Sequence, residues 1–379
     1  MLVRLLMKCV LLTISTLSAG QAAPPGSPQR VFLSGHSLMD QPVPSNLAAV
    51  AESLGTPIQW NRQYMVGSSM RDRARGRRAP AAATGWEGYR QGYNKAGEGM
   101  DVLSEWRQPR TVSGPYDALV ITEQHGLLGT LVWNDTVRFL RHHHDQFIAA
   151  NPSGKTWFYE SWLSLGNKDD PAPWIAYEKA ASPIWQCLAS RVNLSLQEEG
   201  RPDRIQAMAT GWALAFLVEI ATAPGGVPGV SGATVRETVD RIFKDNVHLT
   251  SLGSYYASLV TYAYLFDRSP EGGWAPSDLE PASASALQSV AWRAVSAERK
   301  SRRDLSVGDC QEELQGSFIA LYWGYTRRAF WEAEVGTLGA WWRWAKHRIQ
   351  WHWRLRRNGP DNPLRFDQAT DGRFWLPPP

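Results

Sequence analysis

Short runs rich in β-branched and aromatic residues alternate with longer stretches of helical character, and that alternation limits the possible folds more than any other feature. The runs are RVFLSG (30–35), PIQWNRQYM (57–65), YDALVIT (116–122), KTWFYESW (155–162) and DRIQAMAT (203–210). The helical stretches between them include residues 43–55, with Ser45 as cap and Gly55 as stop, and residues 133–152, capped by Asn134 or Asp135 and ending before Pro152. Residues 174–198 and 250–266 read as two more. Strands that alternate with helices pair in parallel and are covered on both faces. The expected fold is therefore α/β: a three-layer α/β/α, flavodoxin-like domain with a mainly parallel sheet.

At 379 residues the chain can bury a sizeable core. Two stretches break the alternation. Residues 68–101 are rich in Arg, Gly and Ala and predict a long loop beside the second strand. Residues 267–286, with their Pro, Gly and Ser, predict a connection to a helical region of different composition. The expected organisation is a domain over residues 30–268 and a Trp-rich helical extension over 269–379. Eight of the 19 tryptophans lie beyond Phe318.

The N-terminus has the order of a secretory signal peptide: Arg4 and Lys8, then CVLLTISTLSAG, then Gln21, Ala22 and Ala23. The apolar run is too short to span a bilayer. The sequence thus predicts a signal peptide over residues 1–22, a mature chain from Ala23 and a periplasmic or extracellular location. Export leaves Cys187 and Cys310, which an oxidising compartment allows to pair, although nothing in the sequence brings them together. The net charge of +4 is too mild to argue for nucleic acid.

In an open parallel sheet, ligands bind beyond the carboxyl ends of the strands. Ser37 falls in the first such loop, directly after Gly35 and His36; capping is the commoner use of a serine there. The second clue is KDNVHLTSLGSYYASL, where Asp245 stands three residues before His248. A nucleophilic serine needs a base to take its proton, and that base needs an acid to fix its tautomer. One Asp-x-x-His loop before a helix can supply both.

Together the two blocks resemble those of the SGNH (GDSL-type) serine hydrolases, over roughly residues 30–266. The resemblance implies Ser37 as nucleophile, His248 as general base and Asp245 as its orienting acid. It also implies an oxyanion hole made by the Ser37 amide, a glycine after the second strand, matched by Gly67, and an asparagine after the third. There this chain has VITEQHGLLG, which puts Gln124 in the asparagine's place, with Asn134 as the rival. His36 replaces the family's aspartate and reads as a turn residue pointing away from substrate.

The activity so implied is ester hydrolysis without metal or cofactor, on O-acyl groups of envelope or extracellular carbohydrate. Two alternatives stand beside it: an O-acyltransferase acting on an exopolysaccharide, and a non-catalytic glycan- or membrane-binding relic of the fold.

RHHHDQF does not read as a metal site. Consecutive residues on a helix point about 100° apart, so the three histidines predict a solvated or partly packed face. FYESWL puts Glu160 and Ser161 on the rim of the site, with Trp162 in the core. AWWRWAKHRIQWHWRLRR projects as a basic amphipathic helix. Trp341, Trp342, Trp344, Ala345, Ile349, Trp351, Trp353 and Leu355 lie on one side, and Arg343, Lys346, His347, Gln350, Arg354 and Arg357 on the other. Such a helix suits packing on the domain, an anionic membrane surface or an anionic polysaccharide.

Overall fold

The structure, a computed structural model, describes residues 28–79, 85–303, 305–356 and 362–364. The predicted signal peptide lies outside the described residues. All five predicted strands form, as β1 (Gln29–Gly35), β2 (Ile58–Tyr64), β5 (Ala118–Thr122), β6 (Lys155–Tyr159) and β7 (Ile205–Met208). Two short strands, β3 (Gly92–Tyr93) and β4 (Gly99–Met100), complete a sheet of order β4-β3-β2-β1-β5-β6-β7. The five long strands run parallel, and the β3–β4 hairpin adds an antiparallel edge next to β2. The central strands are apolar without alternation: β5 is buried at every position, as a strand covered on both faces must be.

The helices in chain order are α1 (Val43–Ser53), α2 (Met70–Arg75), α3 (Val102–Arg107), α4 (Leu127–Trp133), α5 (Thr136–Ala150), α6 (Ala172–Glu198) and α7 (Thr210–Thr222). They continue as α8 (Val235–Ile242), α9 (Ser251–Phe266), α10 (Pro281–Ser301), α11 (Val307–Glu313), α12 (Ile319–Thr326) and α13 (Glu332–Arg356). α1 packs on α9, and α5 on α6. α10 packs on α9 and α7, and its Leu287, Val290 and Ala291 belong to the same hydrophobic core as the sheet.

Four sequence expectations need correction. Ser45 is not a cap: α1 starts after Pro42, and Pro44 occupies its first turn, where the missing N–H costs nothing. Neither Asn134 nor Asp135 caps α5 through its side chain, because the two residues form the turn between abutting helices. Asn134 ends α4, and Asp135 takes a left-handed φ of 52°.

Residues 68–79 and 85–101, the described part of the predicted loop, are structured, with α2 capped reciprocally by Ser69 and Asp72. Lastly, His142, His143 and His144 are all buried. His142 stacks on Trp86 with ring centroids 4.4 Å apart, His143 bonds Tyr89 Oη at 3.1 Å and the Met70 carbonyl at 3.0 Å, and His144 bonds Thr156 Oγ1 at 2.9 Å and Asp203 at 2.7 Å. Their partners come from different elements, so the helix's own angular spacing does not disclose their burial.

Cys187 and Cys310 form a disulfide across 123 residues, tying α11 to α6.

Candidate active site

The register of the sheet brings three loops to one edge. Gly35 pairs with Tyr64, and Ser34 with Ile121, so β1, β2 and β5 end level with one another. Ser37 lies two residues past β1, Gly67 three past β2 and Gln124 two past β5. The chain leaves β1 for β2 on one side and later returns to β5 on the other, which makes the end of β1 the switch point of the sheet. Gly35 is required there by close approach: a Cβ would lie 2.9 Å from Met39 Cβ and 3.3 Å from Thr122 Cγ2.

The fourth loop, between α8 and α9, arrives from far along the chain. His248 Nε2 accepts from Ser37 Oγ at 3.1 Å, and its Nδ1 donates to Asp245 Oδ2 at 2.8 Å. The other Asp245 oxygen accepts from the Val247 and His248 amides at 2.8 and 2.7 Å. Partial burial pushes the Asp245 carboxyl upward, but these amides and the imidazole outweigh it and bring it to about 2. Asp245 is therefore a carboxylate at any ordinary pH.

The loop itself is braced from several sides. Lys244 N donates to the His248 carbonyl at 2.9 Å, and Thr250 caps α9 through the Gly253 amide. Trp162 Nε1 donates to the Val247 carbonyl at 2.8 Å, and Leu165 N to the Asn246 carbonyl at 2.7 Å. Trp162 is a core residue, as expected, and is also a strut for the histidine loop.

Gly67 has φ +60°, a left-handed conformation that favours glycine, and space around its Cα. The amide N–H groups of Ser37 and Gly67 donate to no other described residue. Gln124 Nε2 donates to the Gly67 carbonyl at 3.2 Å, so one amide hydrogen is engaged and the second is left to donate elsewhere. The Gln124 side chain is thus held against the glycine loop. Asn134, the rival, stands at the C-terminal end of α4.

Beneath the surface lies a charged support that the sequence pattern does not single out. Arg73 is buried and donates to Ser34 Oγ at 3.0 Å, Ser68 Oγ at 2.9 Å and the Thr122 carbonyl, linking the ends of β1, β2 and β5. Glu123 accepts from the Met70 and Gln124 amides at 3.1 and 2.8 Å and from Thr136 Oγ1 at 2.8 Å. Burial raises the Glu123 carboxyl to about 7 against the pull of Arg73, and lowers the Arg73 guanidinium to about 10. The signal for Glu123 was its place directly before Gln124 in TEQHG.

His36 is buried under the loop. Its Nε2 donates to the Glu123 carbonyl at 3.1 Å, and burial, helped by the nearby Arg73, lowers it to about 3. It is a neutral, buried residue of the turn that follows β1. His125 lies beside it, with ring centroids 6.1 Å apart, and is also lowered, first by burial and then by His248.

Glu160 and Ser161 are not on the rim. Both are buried below it, because β6 ends at Tyr159 and the chain turns inward: Ser161 Oγ donates to the Glu123 carbonyl at 3.0 Å, and the Glu160 carboxyl accepts from the Trp212 amide at 2.9 Å. Among the described residues, no group of three or more His, Cys, Asp or Glu side chains converges in a way that would hold a metal ion.

Chemically, the arrangement offers a hydroxyl beside a base, a base oriented by a carboxylate, and N–H donors on the loops that leave the level ends of β1, β2 and β5. That set suits attack on an acyl carbonyl.

No protein-family model matches the chain, and no curated protein matches it. Among solved structures the chain is similar to a DUF4886 family protein from Bacteroides uniformis, at 15% sequence identity and a TM-score of 0.48, over 71% of this chain and 95% of that one.

Proposed function

We propose that the protein is an exported serine esterase, resembling the SGNH (GDSL-type) hydrolases, that removes an acyl group from an oxygen ester. The observation that carries the reading is the unbroken relay from Ser37 Oγ through His248 to Asp245 at 3.1 and 2.8 Å, made between residues 211 positions apart in sequence. Ser37 Oγ attacks the acyl carbonyl while His248 Nε2 takes its proton. The Ser37 and Gly67 amides and Gln124 Nε2 stabilise the oxyanion. Collapse of the tetrahedral intermediate expels the alcohol, which receives the proton from His248. Water, activated by the same imidazole, then releases the acid and restores the serine. Asp245, ionised throughout, stabilises the imidazolium formed at each step.

The His248 and Asp245 side chains are 43% and 49% exposed, so water reaches the base. That openness favours hydrolysis over transfer to a sugar acceptor. Export, as the N-terminal sequence predicts it, makes O-acyl groups on envelope or extracellular carbohydrate the natural substrate class.

A fluorophosphonate probe should label Ser37 and fail to label Ser37→Ala. Ser37→Ala and His248→Ala should each reduce turnover of a small acyl ester by roughly four to six orders of magnitude, and Asp245→Asn by less. Retention of most activity by Ser37→Ala would refute the mechanism. Absence of labelling in the native protein would point to a non-catalytic relic, and acyl transfer to an added oligosaccharide would point to an acyltransferase.

A further inference from the structure

The C-terminal helix presents apolar side chains on two opposite faces, and the fold uses one of them. The chain bends at Gly336, where φ is +70°, and the helix that follows buries Ala340, Trp351 and Leu355, with Trp344 partly covered. Gln311 Nε2 holds the Leu355 carbonyl at 2.7 Å. On the other side stand Leu338, Trp342 and Ile349, exposed by 88%, 74% and 60%. The sequence projection placed the tryptophans on one broad side, but packing divides them between the two faces.

Spacing makes the outward residues a ridge. Leu338, Trp342, Ala345 and Ile349 fall within an arc of about 60° at about 100° per residue, and the ridge is about 16 Å long at about 1.5 Å per residue. Contiguous exposed apolar surface of this kind marks an interaction site.

Charge decides what covers it. From Thr337 to Arg356 the helix carries Arg343, Lys346, Arg348, Arg354 and Arg356 and no aspartate or glutamate. Among the described residues, only Arg343 of these has an acidic partner, Glu334 at 2.8 Å. A second copy of this face would bring like charges together. An acidic polysaccharide would answer the charge but offers no apolar phase to Leu338 and Ile349. An anionic bilayer surface offers both, because indoles settle at headgroup level, aliphatic side chains reach the acyl boundary and Lys or Arg side chains extend to the phosphates.

We propose that α13 docks the protein onto an anionic phospholipid surface, lying flat with Leu338, Trp342 and Ile349 inserted and Lys346 and Arg356 on lipid phosphates. No helix among the described residues is long and apolar enough to cross a membrane, which agrees with surface contact. The docked helix is tied to the candidate site, since the Arg354 guanidinium lies 4.9 Å over the ring of Trp133 at the end of α4, the helix that follows the Gln124 loop. The inference does not depend on the esterase reading, and its test needs no turnover.

The full chain should co-sediment with vesicles of phosphatidylcholine mixed with phosphatidylglycerol, weakly with phosphatidylcholine alone, and less at high salt than at low salt. Trp342→Ser with Ile349→Ser should lower binding by about tenfold or more at an unchanged melting temperature, because both side chains are already in water. Lys346→Glu with Arg356→Glu should weaken binding to the mixed vesicles at low salt and have little effect at high salt. Equal binding by the Trp342/Ile349 variant, or an intact protein that ignores the mixed vesicles, would overturn the proposal. So would retention on an acidic polysaccharide without vesicle binding, a dimer that the apolar variant splits, or unfolding of that variant.

Discussion

Replacing Glu160 with glutamine should flatten a fall in stability that the buried carboxyls impose as pH rises. Glu160 lies just past β6 and is fully buried, with one oxygen accepting from the Trp212 amide. Glu178 on α6 is buried beside it, with one oxygen on the Leu163 amide at 2.7 Å. The remaining oxygen of each carboxyl has no donor in good hydrogen-bond geometry among the described residues, although the Ser182 hydroxyl lies close enough to Glu160 to favour its charged form. The two groups converge on Gly211, where an added Cβ would stand 3.1 Å from Glu160 Oε1 and 3.2 Å from Glu178 Oε2. Glu298, bonded to Arg302 and Tyr264, and the Tyr177 hydroxyl complete the titratable surroundings.

Burial lifts Glu160 from 4.5 to about 8 and Glu178 well above its ordinary value. The folded protein therefore keeps a Glu160 proton that the unfolded chain releases. With one more proton bound in the native state, stability falls by about 1.4 kcal/mol per pH unit. The contribution is fully present below about pH 4.5 and lost as pH rises towards about 8, a total on the order of 5 kcal/mol. Glutamine still accepts from Trp212 and can donate towards the free oxygen of Glu178. Urea melts of wild type and Glu160→Gln at several values between pH 5 and 8 should show a wild-type slope steeper by about one proton, with the variant relatively most stable at pH 8. Parallel slopes, or a variant equally destabilised at both ends, would refute the argument.

Gln124→Ala should lower kcat on a small acyl ester by about a hundredfold with little change in KM, and Gln124→Asn should restore part of it. Steady-state kinetics with unchanged kcat would leave the oxyanion to the Ser37 and Gly67 amides. Replacing Cys187 and Cys310 with alanine together should cost about 3 to 5 kcal/mol, because the bond closes a span of 123 residues, and the loss should appear as a lower urea midpoint. An unchanged midpoint would mean that α11 is held by packing alone.

Features set by local pattern were legible before any folding was known. The five long strands follow from runs of β-branched and aromatic residues, and the strand-to-helix turn at Ser37 and the Asp245–His248 loop follow from short-range spacing. The sequence determined these because neighbours along the chain are enough to fix backbone conformation and the reach of one side chain to the next. It could not determine what required distant elements to meet. Arg73 and Glu123 became the floor of the site only when the ends of β1, β2 and β5 were drawn level. The Cys187–Cys310 pairing needed α11 to fold back on α6. His142, His143 and His144 look like a polar helix face in one dimension and are buried because Trp86, Tyr89, Thr156 and Asp203 close over them. On α13 the periodicity counted apolar residues correctly, yet which of them face water depended on where the preceding helices lay. Burial and convergence belong to pairs of elements far apart in sequence, and only their packing decides them.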